Sequence, residues 1–243
     1  MGMALPLHFV MELMAFFTGF RYYLYLRKDY QDPISGPNRL WILIGAALGA
    51  FLCSRILGGL EDPVAFFDGS THFLYYYANK TIVGGLLGGL LGVELIKKAI
   101  GEQSSSGDLF VYPLLLAIII GRIGCFSAGV YEETYGIASP LPWAMDLGDG
   151  IRRHPAALYE ILFLVILWIG LWVSEQRTQR ENGLKFRLFM VFYLLFRLSL
   201  DFIKPGFRFS FGLSVIQLAC LGGLLYYGKT VFSLFTAKKR GES

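Results

Sequence analysis

The sequence predicts an all-α, polytopic membrane protein with seven transmembrane helices, its N-terminus outside and its C-terminus in the cytoplasm. Hydrophobic residues make up 55% of the 243 residues, charged residues make up only 16%, and the mean hydropathy is +0.53. This composition is too apolar for a water-soluble fold. The apolar runs are continuous rather than alternating, which argues against a membrane β-barrel.

Seven apolar runs approach the roughly 20 residues that a helix needs to cross a bilayer. They cover residues 7–25, 40–60, 81–94 or slightly beyond, 109–129, 156–173, 186–202 and 213–235. The first run lacks a basic leader and a cleavage site, and Arg27 and Lys28 follow it, so we expect a retained anchor. We therefore expect one integral membrane domain over residues 1–243.

The loops between these runs carry basic residues unequally, and this inequality predicts the orientation. Alternate loops hold twelve Lys and Arg residues on one side and five on the other. By the positive-inside rule the N-terminus lies outside. Loops 61–79 and 131–154 then face outward and are long enough to cap a site. The net charge of +4 is interpreted as an orientation signal, not as a sign of nucleic-acid binding.

The three cysteines predict neither a disulfide framework nor a metal site. Cys53, Cys125 and Cys220 all lie inside apolar runs and have no CxxC spacing. No other cluster has metal-ligand spacing, so we expect no metal or organic cofactor.

Several ionisable residues lie inside the apolar runs, mostly toward the outer half of the membrane. Arg122 interrupts the run AIIIGRIGCFSAG, and a charge near the bilayer centre costs roughly 2.5–3.5 kcal/mol. One interpretation is structural, with Arg122 paired to Glu160 and Arg197 paired to Asp201. The other is a cavity with spare positive charge that binds an anionic lipid phosphate, because arginine presents a planar fork of donors to phosphate oxygens.

Two further segments are candidates for substrate contact. In RHPAALYE, Pro155 starts a helix, so His154 is placed at the membrane surface and Tyr159 and Glu160 enter about one turn below it. A histidine at such a position can also be a simple cap. In GGLLGGLLG, Gly84 and Gly85 allow close approach, either of a neighbouring helix or of a lipid head group.

Four motifs in this order resemble the prolipoprotein diacylglyceryl transferase family. They are GRIGCF (121–126), HPAALYE (154–160), YLLFR (193–197) followed by DFIKP, and GLSVIQ (212–217). The resemblance implies a bacterial enzyme of the cytoplasmic membrane that moves diacylglyceryl from phosphatidylglycerol to a lipobox cysteine. The partners it implies are phosphatidylglycerol, a prolipoprotein lipobox segment and membrane lipids, without nucleic acid.

The resemblance also implies roles for individual residues. Arg122 and Arg197 match the two arginines of the family's active site, and Tyr193 matches its tyrosine one turn before the second arginine. Gly136 matches a glycine of the outer loop, and Glu132 or Glu133 matches a nearby acid. The predicted catalytic residues are Arg122, Arg197, Tyr193, His154, Glu160 and Glu12. The predicted substrate-binding residues are Lys80, Thr81, Gly84, Gly85, Tyr159, Lys204, Gly136 and Gln217.

Three positions depart from the family pattern. Cys125 stands where the family has asparagine, Val83 where it has histidine, and Glu12 where it has a tyrosine of the first span. Lys80 and Thr81, one turn outward from Val83, could compensate together with Glu12.

In the implied reaction a thiolate attacks the glyceryl carbon bonded to phosphate, and glycerol phosphate leaves. A thiol needs a base, for which His154, Glu160 and Glu12 are candidates. Three alternatives remain: a transferase with a non-protein acceptor, a protein that binds or flips anionic lipid without chemistry, and a structural protein.

Overall fold

The computed structural model describes residues 4–67, 75, 79–132, 134–177 and 182–232, and most of these are helical. The helices are α1 (Ala4–Lys28), α2 (Gly36–Gly59), α3 (Pro63–Phe67), α4 (Ile82–Ile100), α5 (Val111–Ala128), α6 (Ala156–Arg177), α7 (Leu184–Leu200) and α8 (Val215–Tyr226). Short 3₁₀ turns cover Asp108–Phe110, Gly129–Tyr131 and Asp201–Ile203. A hairpin pairs β1 (Met145–Asp146) with β2 (Arg152–Arg153) in antiparallel fashion.

Within the part of the chain that the structure describes, three stretches are long and apolar enough to cross a membrane: Gly36–Gly59, Asp108–Tyr131 and Ala156–Gln176. Val215–Tyr226 is a shorter apolar helix. The protein is therefore mainly α-helical and has several helices suited to a bilayer. Each of the seven predicted runs coincides with a helix, whereas seven crossings and an outside N-terminus remain predictions. Residues 233–235 of the last run lie outside the described residues.

The chain forms two compact units, of which the first comprises residues 1–31, 106–189 and 202–205. In this unit α1 packs along α5, and α5 packs along α6. Small residues allow the first contact: a Cβ on Gly19 would lie 3.0 Å from the Cβ of Ala117 and 3.2 Å from the carbonyl of Pro113. Further along, the rings of Tyr23 and Phe110 stack with their centroids 4.6 Å apart.

The loop of residues 134–154 in the first unit is held by backbone and arginine contacts. The guanidinium of Arg152 donates to the carbonyls of Pro142 at 3.0 Å and Ala144 at 3.1 Å. Arg153 donates to Asp149 at 2.6 Å. This hydrogen bond holds the pKa of the Asp149 carboxyl below its usual range. The loop is thus a folded hairpin rather than an open connection.

The second unit comprises residues 32–105, 190–201 and 206–243, and its main contact is between α2 and α4. Glycines line both helices there, and a Cβ on Gly49 would collide with the carbonyl of Gly88. A Cβ on Gly84 would lie 2.5 Å from the carbonyl of Cys53, whereas the nearest neighbour of Gly85 is 3.9 Å away. Gly84 therefore lies where α4 packs against α2, and its contact with a lipid head group stays a prediction.

Candidate functional site

A buried ion pair lies at the centre of the first unit. The Nε of Arg122, on α5, is 2.9 Å from Oε2 of Glu160, in the second turn of α6. The exposed fraction is 8% for Arg122 and 1% for Glu160. The pair that the sequence suggested is therefore present. Because both charges have lost their hydration, each depends on the other, and removing one partner of such a pair is costly.

A second group of polar side chains adjoins this pair through Cys125. Nη1 of Arg122 is 3.6 Å from the Sγ of Cys125, one turn further along α5. The imidazole of His8, on α1, lies against the same turn of α5. Gly124 permits this approach of α1, since a Cβ there would lie 2.8 Å from the Cβ of Met11 and 3.5 Å from Nδ1 of His8.

His8 lies between two carboxylates. Its Nε2 is 3.2 Å from Oε1 of Glu12 and 3.3 Å from Oε1 of Glu132. The His8 side chain is 8% exposed, whereas the carboxylate side chains are 25% and 29% exposed. The imidazole is thus buried, and its two acidic neighbours reach toward the surface of the unit.

These six residues form what we call the His8–Arg122 cluster, and its charges bear on what it can bind. The cluster consists of His8, Glu12, Arg122, Cys125, Glu132 and Glu160. Three carboxylates face one arginine and one imidazole, so the cluster does not by itself supply the spare positive charge expected from the sequence. It is better suited to moving a proton beside a fixed guanidinium, and a phosphate would need further cations or protons.

The entrance of α6 carries a separate hydrogen-bonded group. The indole Nε1 of Trp143 donates to the Tyr159 hydroxyl oxygen at 2.8 Å, and that oxygen is 3.1 Å from Nδ1 of His154. Because an indole N–H can only donate, the phenol hydrogen is available to His154. The structure therefore brings His154 and Tyr159 into contact at the start of α6, and their roles in the reaction stay predictions.

Gly136 fixes this entrance group to the rest of the 134–154 loop. Its N–H donates to the carbonyl of His154 at 2.9 Å, and the N–H of Ile137 donates to the carbonyl of Ile203 at 2.8 Å. A Cβ on Gly136 would lie 2.5 Å from the Cβ of His154. Only glycine fits at this position without displacing the loop.

The second unit contains another buried polar group. Arg197 is 3% exposed and Asp201 is 5% exposed, and Tyr193 is fully buried one turn before Arg197. The carboxylate of Asp201 accepts from the Ser214 hydroxyl, and its carbonyl accepts from Arg208 at 2.6 Å. The suggested pairing of Arg197 with Asp201 stays a prediction.

Gln217 and Thr81 both take part in contacts within the second unit. Ser214 and Gln217 form a capping box at the start of α8, which accounts for the polar end of the GLSVIQ motif. Oε1 of Gln217 also accepts from Arg208 at 3.3 Å. Thr81 is buried, and its N–H donates to the carbonyl of Ser54 at 3.2 Å.

The two predicted substrate-binding lysines lie beside helix ends. Lys80 is exposed just before α4, and Lys204 is half-buried after α7. Their contacts with substrate, like those of Gly85, Thr81 and Gln217, stay predictions.

Comparison with known proteins decides the family. The profile of the prolipoprotein diacylglyceryl transferase family matches residues 3–232. The chain belongs to this family. A phosphatidylglycerol–prolipoprotein diacylglyceryl transferase from Nitratidesulfovibrio vulgaris strain DP4 is 36% identical over 186 residues, covering 68% of each chain. The protein of that name from Methylococcus capsulatus is 31% identical over 198 residues, covering 76% of this chain and 70% of the relative.

Within this family member, His8 is the site residue that sequence reasoning missed. Its spacing of four residues from Glu12 places both side chains on one face of α1, and this signal was available in the sequence. The contact of His8 with Glu132 depends on tertiary packing instead. Glu132 is the acid that the structure brings into the cluster, whereas Glu133 lies outside the described residues.

Proposed function

We propose that this protein transfers the diacylglyceryl group of phosphatidylglycerol to the thiol of a lipobox cysteine in a prolipoprotein, releasing glycerol phosphate in a bacterial cytoplasmic membrane. Family membership supports the reaction, because the relatives are named for this donor and acceptor. The single structural observation that carries it is the buried guanidinium of Arg122, held by Glu160 within an apolar helix.

The reaction makes two demands on the protein. Sulfur forms a bond to the glyceryl carbon that carries the phosphate, the carbon–oxygen bond breaks, and its electron pair moves to the phosphate oxygen. A cation near that oxygen lowers the barrier because charge collects there in the transition state. A base must also remove the thiol proton.

Arg122 meets the first demand in this proposal. Guanidinium presents five N–H donors in a rigid plane and stays protonated when buried, so it can orient on a phosphate and accept the growing charge. Glu160 acts as a positioning residue: its carboxylate at Nε sets the plane of the guanidinium. Arg197 remains a candidate phosphate ligand on the sequence evidence, and Tyr193 remains a candidate beside it in the chain.

The entrance group contributes to substrate binding in this proposal. Tyr159 and His154 lie at the start of α6, two turns or less from Glu160, and Gly136 holds their loop in place. The phenol and imidazole offer hydrogen bonds to a polar head group, while Trp143 offers an apolar surface beside them.

The test is a transfer assay with the purified protein in lipid nanodiscs that contain phosphatidylglycerol, with a lipobox peptide as acceptor. Mass spectrometry of the peptide should show one diacylglyceryl group on the cysteine, and phosphate analysis should show one glycerol phosphate for each. Arg122→Ala should abolish both products. Arg21→Gln is the matched control, because Arg21 is exposed on α1 and should leave the rate unchanged.

The alternatives give different results in the same assay. Release of glycerol phosphate without a modified peptide would indicate a non-protein acceptor and contradict the proposed acceptor. Lipid binding that depends on Arg122 without any covalent product would indicate a lipid-binding or lipid-flipping protein instead.

A further inference from the structure

His8 is a buried titratable group to which the sequence assigned no role. We infer that His8 is the general base that takes the proton from the acceptor thiol, an inference that rests on the proposed function. Four observations carry it: the burial of the imidazole, its two carboxylate neighbours, the position of the Cys125 sulfur, and the engagement of the other base candidates.

The surroundings of His8 are those of a proton carrier. The neighbours of its ring come from three elements: Glu12 from α1, the turn of α5 that holds Gly124 and Cys125, and Glu132 from the turn after α5. The two carboxylates, 3.2 and 3.3 Å from Nε2, stabilise the cation that forms when imidazole accepts a proton. Because they are partly exposed, they also provide an exit for the proton from a buried ring to water.

The Cys125 sulfur shows how close the imidazole lies to the guanidinium. The Cys125 sulfur is 3.6 Å from Nη1 of Arg122, and the His8 imidazole lies against the same turn of α5. A thiol that gives up its proton needs the same two neighbours, a base on one side and a cation on the other. An acceptor thiol beside Cys125 would therefore meet both groups at once.

The other base candidates are engaged elsewhere. Glu160 is 1% exposed and holds Arg122 at 2.9 Å, so protonating it would break the ion pair that orients the guanidinium. His154 is 3.1 Å from the Tyr159 hydroxyl at the entrance of α6. Glu12 contacts His8 itself, which makes it a relay for the proton rather than a rival.

The proton and electron transfers of this step balance. The thiol proton moves to an imidazole nitrogen of His8 as the sulfur bonds to the glyceryl carbon. The carbon–oxygen bond breaks, and its electron pair stays on the phosphate oxygen of the departing glycerol phosphate. The imidazolium then passes its proton through Glu12 or Glu132 to water. Cys125 takes no covalent part, because a thioether formed on it would be a stable dead end.

The central test is the pH profile of transfer in His8→Gln, measured by the nanodisc assay. At neutral pH the rate should fall roughly 100- to 10,000-fold, the range for loss of a general base. The remaining rate should rise about tenfold for each pH unit up to the pKa of the free thiol, about 8.5. Phe9→Leu is the matched control, since Phe9 is the adjacent residue and its side chain is 60% exposed.

A merely structural role for His8 predicts a loss of the same size at every pH, and that result, or an unchanged rate, overturns the inference. Addition of imidazole to His8→Ala should restore part of the rate, and absence of rescue in folded protein also counts against a base. If neither His8 variant accumulates in the membrane, Glu132→Gln carries the test. It should slow transfer and move the pH profile, and an unchanged profile contradicts the relay.

Two further results separate this inference from the proposed function. A wild-type protein that transfers nothing contradicts the function, and the role of His8 falls with it. Normal transfer by both wild type and His8→Gln contradicts only the role of His8. A diacylglyceryl adduct found on Cys125 of the wild-type protein would overturn direct transfer to the acceptor thiol.

Discussion

The variant Glu160→Gln keeps the size and shape of the side chain in the second turn of α6 but removes the charge that faces Arg122. The guanidinium, 8% exposed, then remains buried beside a neutral amide. Desolvation of the arginine is no longer offset by a carboxylate, so the folded state should lose stability. The companion variant replaces both residues by methionine, which fills a similar volume without any charge.

The expected magnitude follows from the burial of both partners. Removing one member of a buried pair costs about 3–5 kcal/mol, whereas replacing the whole pair by apolar groups is about neutral or stabilising. For a chain of this length, each kcal/mol lowers the melting temperature by about 2–4 °C. Glu160→Gln should therefore melt about 6–20 °C below the wild type, and the double methionine variant should melt near it.

Thermal unfolding in detergent or nanodiscs measures both variants, and the transfer assay is run beside it. The double variant should be stable but inactive, because it lacks the arginine that the reaction needs. A melting temperature of Glu160→Gln within about 2 °C of the wild type would refute the argument that this pair is desolvated. If the single and double variants lost the same amount of thermal stability, the loss would come from altered packing rather than from an unpaired buried charge.

Two further predictions concern the outer loop. Gly136→Ala places a Cβ 2.5 Å from that of His154, so we expect overpacking to cost about 1–3 kcal/mol of stability and to slow transfer. Gly170→Ala is the control, since nothing lies within 4 Å of a Cβ there, and an equal effect of both would contradict the steric argument. Asp149→Asn removes the carboxylate that accepts from Arg153. Because the pKa of Asp149 is lowered, this carboxylate stabilises the folded hairpin at pH values above the usual Asp pKa of about 3.9. Hydrogen exchange of the hairpin amides should be slower in wild type than in the variant near neutral pH, and the difference should vanish as the pH falls through the lowered pKa. A difference that persists in acid would contradict a stabilising role for this carboxylate.

The helices could be predicted from the sequence because continuous apolar runs of this length form few structures other than membrane-spanning helices. The boundaries differ where helices continue past the apolar run. α1 extends to Lys28 and α4 to Ile100, since charged residues at a membrane surface can remain helical. The last predicted run reached residue 235; α8 ends at Tyr226, a turn follows at Tyr227, and residues 228–232 are again helical. Hydropathy reports how apolar a segment is, and it does not indicate at which residue a helix begins or ends.

The site was only partly predictable for a related reason. Few charges lie inside the apolar runs, so Arg122 and Glu160 had few possible partners and their pairing could be suggested. The contact of His8 with Glu132 joins residues far apart in the chain, and Gly124 allows α1 to approach α5 there. The spacing of residues in the sequence does not indicate that α1 and α5 pack closely at this point.

In the proposed reaction the planar guanidinium of Arg122 binds the lipid phosphate and stabilises its charge during diacylglyceryl transfer. Arg122→Lys tests it most directly, because lysine keeps the positive charge beside Glu160 but loses the planar set of donors. Transfer to the lipobox peptide should fall on the order of 100-fold, while thermal stability stays close to that of the wild type. A lysine variant that transfers at the wild-type rate would contradict the claim.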